Sequence, residues 1–127
     1  MIGYVTLGTN DLDSAAEFYD AIAKEMGGSR MMEEEGYFIA WTGPDNTPGF
    51  AATRPFDKKK ATVGNGMMVA LQAKDPEQVD RIHALALELG GSDEGAPGQR
   101  GGGFYAGYFR DRDGNKLNAF CMTSVPA

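Results

Sequence analysis

The chain has one cysteine, Cys121, and one histidine, His83, among its 127 residues. A lone cysteine excludes an internal disulfide and suits a reducing compartment. A lone histidine excludes a two-histidine metal triad, and it leaves no Ser-His-Asp or Cys-His set to argue for. Long apolar runs are absent too. None approaches the ~20 residues needed to cross a bilayer. Met1 to Asn10 has no basic residue ahead of its apolar part, unlike a secretory leader. We therefore expect a cytoplasmic protein with no membrane partner. Basic charge is also short. Twelve Lys and Arg face 18 Asp and Glu, for a net charge of −6. Nucleic-acid binders gather a basic field, so no nucleic-acid partner is expected. The one basic cluster, Lys58-Lys59-Lys60, reads as a solvated loop beside Pro55 and Gly64.

What is present is ordinary for a globular chain: 42% of residues are apolar and 24% are charged. Its length suits one compact domain. Tyr4-Val5-Thr6-Leu7 alternates as a strand does. A helix follows, with Asp11 as N-cap and apolar positions Ala15, Phe18, Tyr19, Ile22, Ala23 and Met26 at steps of three and four. Gly27-Gly28 stops it. The order then recurs. Met68 to Leu71 reads as a strand. Asp75 opens a second helix with Pro76 at N1 and Gln78 placed to bond back. Val79, Ile82, Ala86 and Leu89 form its apolar stripe, and Gly90-Gly91 ends it.

Val5 and Val69, Leu7 and Leu71, Asp11 and Asp75, Phe18 and Ile82, and Gly27 and Gly91 are all separated by the same interval, half of the chain. One offset shared by these landmarks marks an internal repeat. Further strands are predicted at about 31–34, 37–42 and 50–54 in the first half, and 105–110 and 116–122 in the second. A short one is expected near 91–94. Each unit then reads β-α-β-β-β, with unit one at about 1–62 and unit two at about 66–127.

The stretches YVTLGTNDLDSAAEFYDAI (4–22), the segment 53–91, APGQR (96–100) and FYAGYFRDRDGNKLNAF (104–120) resemble the glyoxalase/bleomycin resistance/dioxygenase superfamily, also called the vicinal oxygen chelate superfamily. The resemblance implies an α+β fold of two tandem βαβββ units, whose curved mixed sheets surround a cleft with the helices outside. It leaves the chemistry open, since one fold hosts many functions.

Enzymes of that family hold a divalent metal with His or Glu from the first and last strand of each unit. Transferred position by position, the first-strand ligands fall on Tyr4 and Met68, and the last-strand ligand of unit two falls on Asn118. The last strand of unit one, Gly49 to Arg54, has no settled register but contains no His, Asp or Glu. Neither a metal nor another cofactor is therefore expected. Asp111-x-Asp113-Gly114 is not a calcium loop, because Gly114 is fourth where that loop needs its glycine sixth. These acids read as turn residues. The glycine-rich GGGFYAG (101–107) lacks the spacing of a phosphate cradle and reads as a mobile loop leading into a strand.

Alternation predicts which side chains line the cleft. Tyr4 and Thr6 on the first strand, Met68, Ala70 and Gln72 on the fifth, and Asn118, Phe120 and Met122 on the last share the face opposite the helices. That mixture of apolar and hydrogen-bonding groups suits a small-molecule ligand. It also suits a filled cleft with no ligand. Trp41 and Tyr37 share a face and serve either as an aromatic wall or as core. Arg100, in a loop after Pro97-Gly98-Gln99, is placed for an anion or carbonyl or for a surface salt bridge, and Arg54 is a weaker candidate of the same kind. Cys121 reads as a small buried apolar residue.

Two functions follow: a metal-free small-molecule binding protein, as in drug sequestration, with Tyr4, Thr6, Trp41, Met68, Gln72, Arg100, Asn118 and Phe120 at its site; or a glyoxalase-like lyase or isomerase with Tyr4 as acid/base. A non-catalytic regulatory module is a third. A homodimer is expected by analogy with the family.

Overall fold

The computed structural model describes residues 1–124. The last residues of predicted unit two, 125–127, lie outside the described residues. The chain divides into two compact units, Met1–Gly64 and Asn65 onward.

Unit one runs β1 (Tyr4–Gly8), α1 (Leu12–Glu25), β2 (Ser29–Glu34), β3 (Phe38–Thr42) and β4 (Gly49–Thr53), with a 3₁₀ turn at Pro44–Asn46. Its sheet has the order β1-β4-β3-β2, with β1 parallel to β4 and the other pairs antiparallel. Unit two runs β5 (Val69–Gln72), α2 (Pro76–Glu88), β6 (Ser92–Gln99), β7 (Phe104–Arg110) and β8 (Lys116–Met122), in the equivalent order β5-β8-β7-β6. Both units are therefore βαβββ, as the repeat implied.

The helix ends are set locally. Asp11 Oδ1 accepts from the Ser14 amide, and Asp75 Oδ1 from the Gln78 amide, each satisfying a free N–H of the first turn. Gln78 returns a bond, its Oε1 accepting from the Lys74 N–H. Each helix closes by the same pair of bonds, Gly28 to Ala23 with Gly27 to Lys24, and Gly91 to Ala86 with Gly90 to Leu87. The left-handed residues there are Gly27 (φ 78°) and Gly90 (φ 93°). So the true counterpart of Gly27 is Gly90, not Gly91, because α2 is one residue shorter than α1.

In unit one, α1 packs Phe18, Tyr19 and Ile22 onto Leu7, Ile39, Trp41, Phe50 and Ala52. In unit two, α2 packs Val79, Ile82 and Ala86 near Leu71, Phe109, Leu117 and Ala119. Each large side chain so buried stabilises the fold by roughly 1.5–3 kcal/mol. Gly49 is required where β4 begins, since a Cβ there would lie 1.7 Å from the Trp41 carbonyl oxygen. Gly107 lies under the helix for a like reason, with Pro97 Cγ at 2.9 Å and His83 Cδ2 at 3.3 Å from a would-be Cβ.

Three predicted features change. The strand expected near 91–94 extends to Gln99, so Pro97-Gly98-Gln99 is strand rather than loop. β6 is the edge strand and its pairing with β7 shifts twice, which is where a proline is tolerated. The glycines of 101–103 form a tight turn, closed by Phe104 N to Gly101 O and Arg100 N to Phe104 O, and the strand begins at Phe104. The fifth strand starts at Val69, leaving Met68 just ahead of it.

Candidate functional site

Each sheet has one face under its helix and one face open. In unit one the open face carries Tyr4, Thr6, Phe38, Ala40, Ala51 and Thr53, which with Met31, Met32 and Tyr37 line a concavity of about 310 Å³. Tyr4 and Thr6 thus stand where alternation puts them, both exposed. Their strand pairing supplies what the sequence could not. Thr6 lies opposite Ala51 as Ala70 lies opposite Asn118, so the unit-one counterpart of Asn118 is Ala51.

Trp41 is a core residue, not a wall. Ile39 and Trp41 face α1, and the Trp41 indole N–H donates to Asp20 Oδ1 at 2.8 Å. The rings of Tyr19 and Phe50 each lie 5.5 Å away. Tyr37 precedes β3 in a turn, where its amide donates to Glu34 O, so strand alternation does not reach it, and it lines the open-face hollow. Asp20 also accepts from Arg30 Nε and Nη2, at 2.9 and 2.7 Å. The Arg30 guanidinium is the main reason the Asp20 carboxyl is held below its usual range.

In unit two, Asn118, Phe120, Tyr108, Ala70 and Gln72 share the open face by register. Gln72 is exposed, and Phe120 is half-buried with its ring stacked 5.4 Å from Phe104. Met68 is 42% exposed. Asn118 is 1% exposed, and neither atom of its side-chain amide has a hydrogen-bond partner among the described residues. Arg100 folds back on its own hairpin. One of its nitrogens donates to the Ala96 carbonyl, and its guanidinium sits 5.4 Å from the Tyr108 ring centroid. Lys116 approaches the same ring at 5.6 Å. Of the anion, carbonyl and salt-bridge partners expected of Arg100, the described residues supply a carbonyl, that of its own hairpin.

Asp111 holds the β7–β8 turn, as its place there suggested. Asp111 accepts from the amides of Asp113 and Asn115 at 2.9 Å each and from the Asn115 side chain. His83 lies under the sheet, with Nε2 3.0 Å from Asp93 Oδ1 and its ring against Phe109. The Gly95 amide, then His83, hold the Asp93 carboxyl low. Tyr105 donates to Asp80 Oδ1 at 2.6 Å, which pushes its phenol up to about 12. Burial raises the Cys121 thiol, as befits a packed side chain rather than a nucleophile. Among the described residues, no group of three His, Cys, Asp or Glu side chains is placed to hold a metal ion.

Two βαβββ units, each with its first strand parallel to its last and its other strand pairs antiparallel, define an α+β class. The chain matches the model of the Glyoxalase/Bleomycin resistance protein/Dioxygenase superfamily over residues 1–119, and it belongs to that superfamily. No curated protein sequence matches it. Among solved structures, a glyoxalase/bleomycin resistance protein from Albidiferax ferrireducens is 34% identical, with a TM-score of 0.88 over 97% of this chain and 99% of that one. A family enzyme from Burkholderia phytofirmans shares the fold at 14% identity and a TM-score of 0.75, over 95% and 98% of the two chains. A lactoylglutathione lyase from Agrobacterium tumefaciens shares it at 20% identity and 0.70, over 95% and 92%.

Proposed function

We propose that this superfamily member binds a small organic molecule on its open sheet faces, without the divalent metal that the resemblance implies for the family's enzymes. The observation that supports it best is the Asn118 amide. A buried polar group with no partner costs about 1–3 kcal/mol, so one that persists needs an account. A buried water bonding to that amide supplies it, and so does a ligand group that displaces the side chains covering it. The four positions that correspond to metal ligands hold a phenol, a methyl, a thioether and an amide: Tyr4, Ala51, Met68 and Asn118. That donor set does not fit a hard or borderline cation. The hollow on the open face of unit one is mostly apolar, with the hydroxyls of two threonines and two tyrosines in its lining, the usual character of a small-molecule pocket.

The test is a fragment panel read by thermal shift on the wild type, Thr6→Trp and Asn118→Leu. Thr6 is exposed, so its bulky replacement fills the hollow without disturbing the core. Scaffolds that raise the wild-type Tm but not that of Thr6→Trp support a site on the face of unit one, and those that fail only with Asn118→Leu support one on the face of unit two. A panel with no hits, beside turnover of a hemithioacetal on adding zinc or nickel, sinks it in favour of a lyase. Loss of that turnover in Tyr4→Phe would then assign the acid/base role to Tyr4. We expect a homodimer in a reducing cytoplasm, which sedimentation of the purified protein and fractionation of cells check.

A further inference from the structure

Three hollows in unit one share Tyr37. One is the open-face pocket. Another, of about 720 Å³, is rimmed by Arg54, Lys58, Lys59 and Lys60, with Phe56 beside them. The third, of about 480 Å³, has Thr6 and Thr53 in common with the first and Arg54, Phe56 and Lys60 with the second. A trough therefore leads from an apolar sheet face to a basic rim.

The rim is built rather than loose. Asn10 grips Ala61 from both sides, its Oδ1 accepting the Ala61 amide at 2.7 Å and its Nδ2 donating to the Ala61 carbonyl at 3.1 Å. Lys58 N–H donates to Pro55 O at 3.0 Å, and Asp57 Oδ1 accepts from Lys59 N at 2.9 Å. Lys58 is held at φ 64°, a left-handed backbone that persists in a non-glycine residue only where its surroundings impose it. The chain carries a net charge of −6, yet none of these four cations has an ion-pair partner among the described residues. Four unpaired cations around one concavity focus a positive field there. The solvated-loop reading of Lys58-Lys59-Lys60 accounts for their exposure but not for the anchored hollow they surround.

We propose that the ligand of the open face is an organic anion, its apolar body against Thr6 and Tyr37 and its carboxylate or phosphate among Arg54, Lys58, Lys59 and Lys60. This rests on the reading that the open face binds a small organic molecule. The guanidinium supplies paired N–H donors to the anion, and the ammonium groups supply compact charge.

The test titrates naphthyl phosphate, naphthylacetate and neutral naphthylacetamide into the full chain, followed by NMR and calorimetry. Both anions bind, and the amide binds about tenfold or more weakly, the size of one charge-assisted hydrogen bond. The triple Lys58→Gln, Lys59→Gln, Lys60→Gln variant and Arg54→Gln each weaken the anions but not the amide. Their circular dichroism melts verify the fold, since all four side chains are exposed. Anion affinity falls in about 1 M salt, where the screening length is ~3 Å. Thr6→Trp weakens all three probes. Equal binding of anion and amide, or anion binding untouched by the triple variant, overturns this inference alone. If inorganic phosphate binds as well as naphthyl phosphate and Thr6→Trp changes nothing, the open-face reading fails and this one with it. Capture by phosphatidylserine vesicles in place of the soluble anions, lost in Phe56→Ala, overturns the small-ligand assignment.

Discussion

Asn118 and Ala51 occupy equivalent places in two copies of one unit, and they differ by a buried amide. If that amide serves a ligand, it costs the free protein stability. Asn118→Leu, of similar volume and with nothing to satisfy, should raise stability by about 1–3 kcal/mol while abolishing thermal shifts from scaffolds that bind the face of unit two. Urea denaturation of both proteins measures the first effect and the fragment panel the second. A variant that is less stable than wild type would mean that the amide already has its partners. Strand parity alone places Asn118 on the open face, as it places Tyr4 and Thr6. It does not decide Trp41, because both sides of β3 are apolar enough. The indole needs an acceptor when buried, and Asp20 on α1 provides it. Arg100 is open in the same way, because a long flexible side chain goes to whichever acceptor the hairpin offers, here Ala96 O beside the Tyr108 face.

The helices are the most readable elements, since cap, stripe and stop lie within one short stretch. Asp75→Ala should cost about 0.5–2 kcal/mol in a denaturant melt, the usual loss of an N-cap. Asp20 ties α1 to β2 and β3 through Arg30 and Trp41. Its folded-state carboxyl is held below the ordinary value, first by Arg30, so the stability it adds is fully present above about pH 4. That contribution is lost as the pH falls through the lowered value. The stability gap between wild type and Asp20→Asn should therefore be open at neutral pH and close as the pH falls through the lowered carboxyl value. A gap independent of pH would assign the effect to packing. Strand edges are less readable. β6 runs to Gln99 through a proline and two register shifts, which only its edge position beside β7 permits.

The repeat governs the whole molecule. Two βαβββ units recur at one fixed offset along most of their length, and the superfamily match covers nearly all of both. On the metal-free reading, dialysis against EDTA should leave the Tm and any ligand-induced shift unchanged. A fall in Tm restored by one divalent metal would reverse the metal-free reading.

Element order, helix caps, the repeat and the open-face parity of β1, β5 and β8 all follow from local periodicity, because each is set by residues close in sequence. The pairing of Thr6 with Ala51, the turn of Trp41 toward α1 and the unpartnered burial of Asn118 depend on contacts across strands and between sheet and helix. So does the gathering of Arg54 and three lysines around an anchored hollow. No stretch of sequence specifies those contacts alone, since register and burial are settled only when distant segments pack.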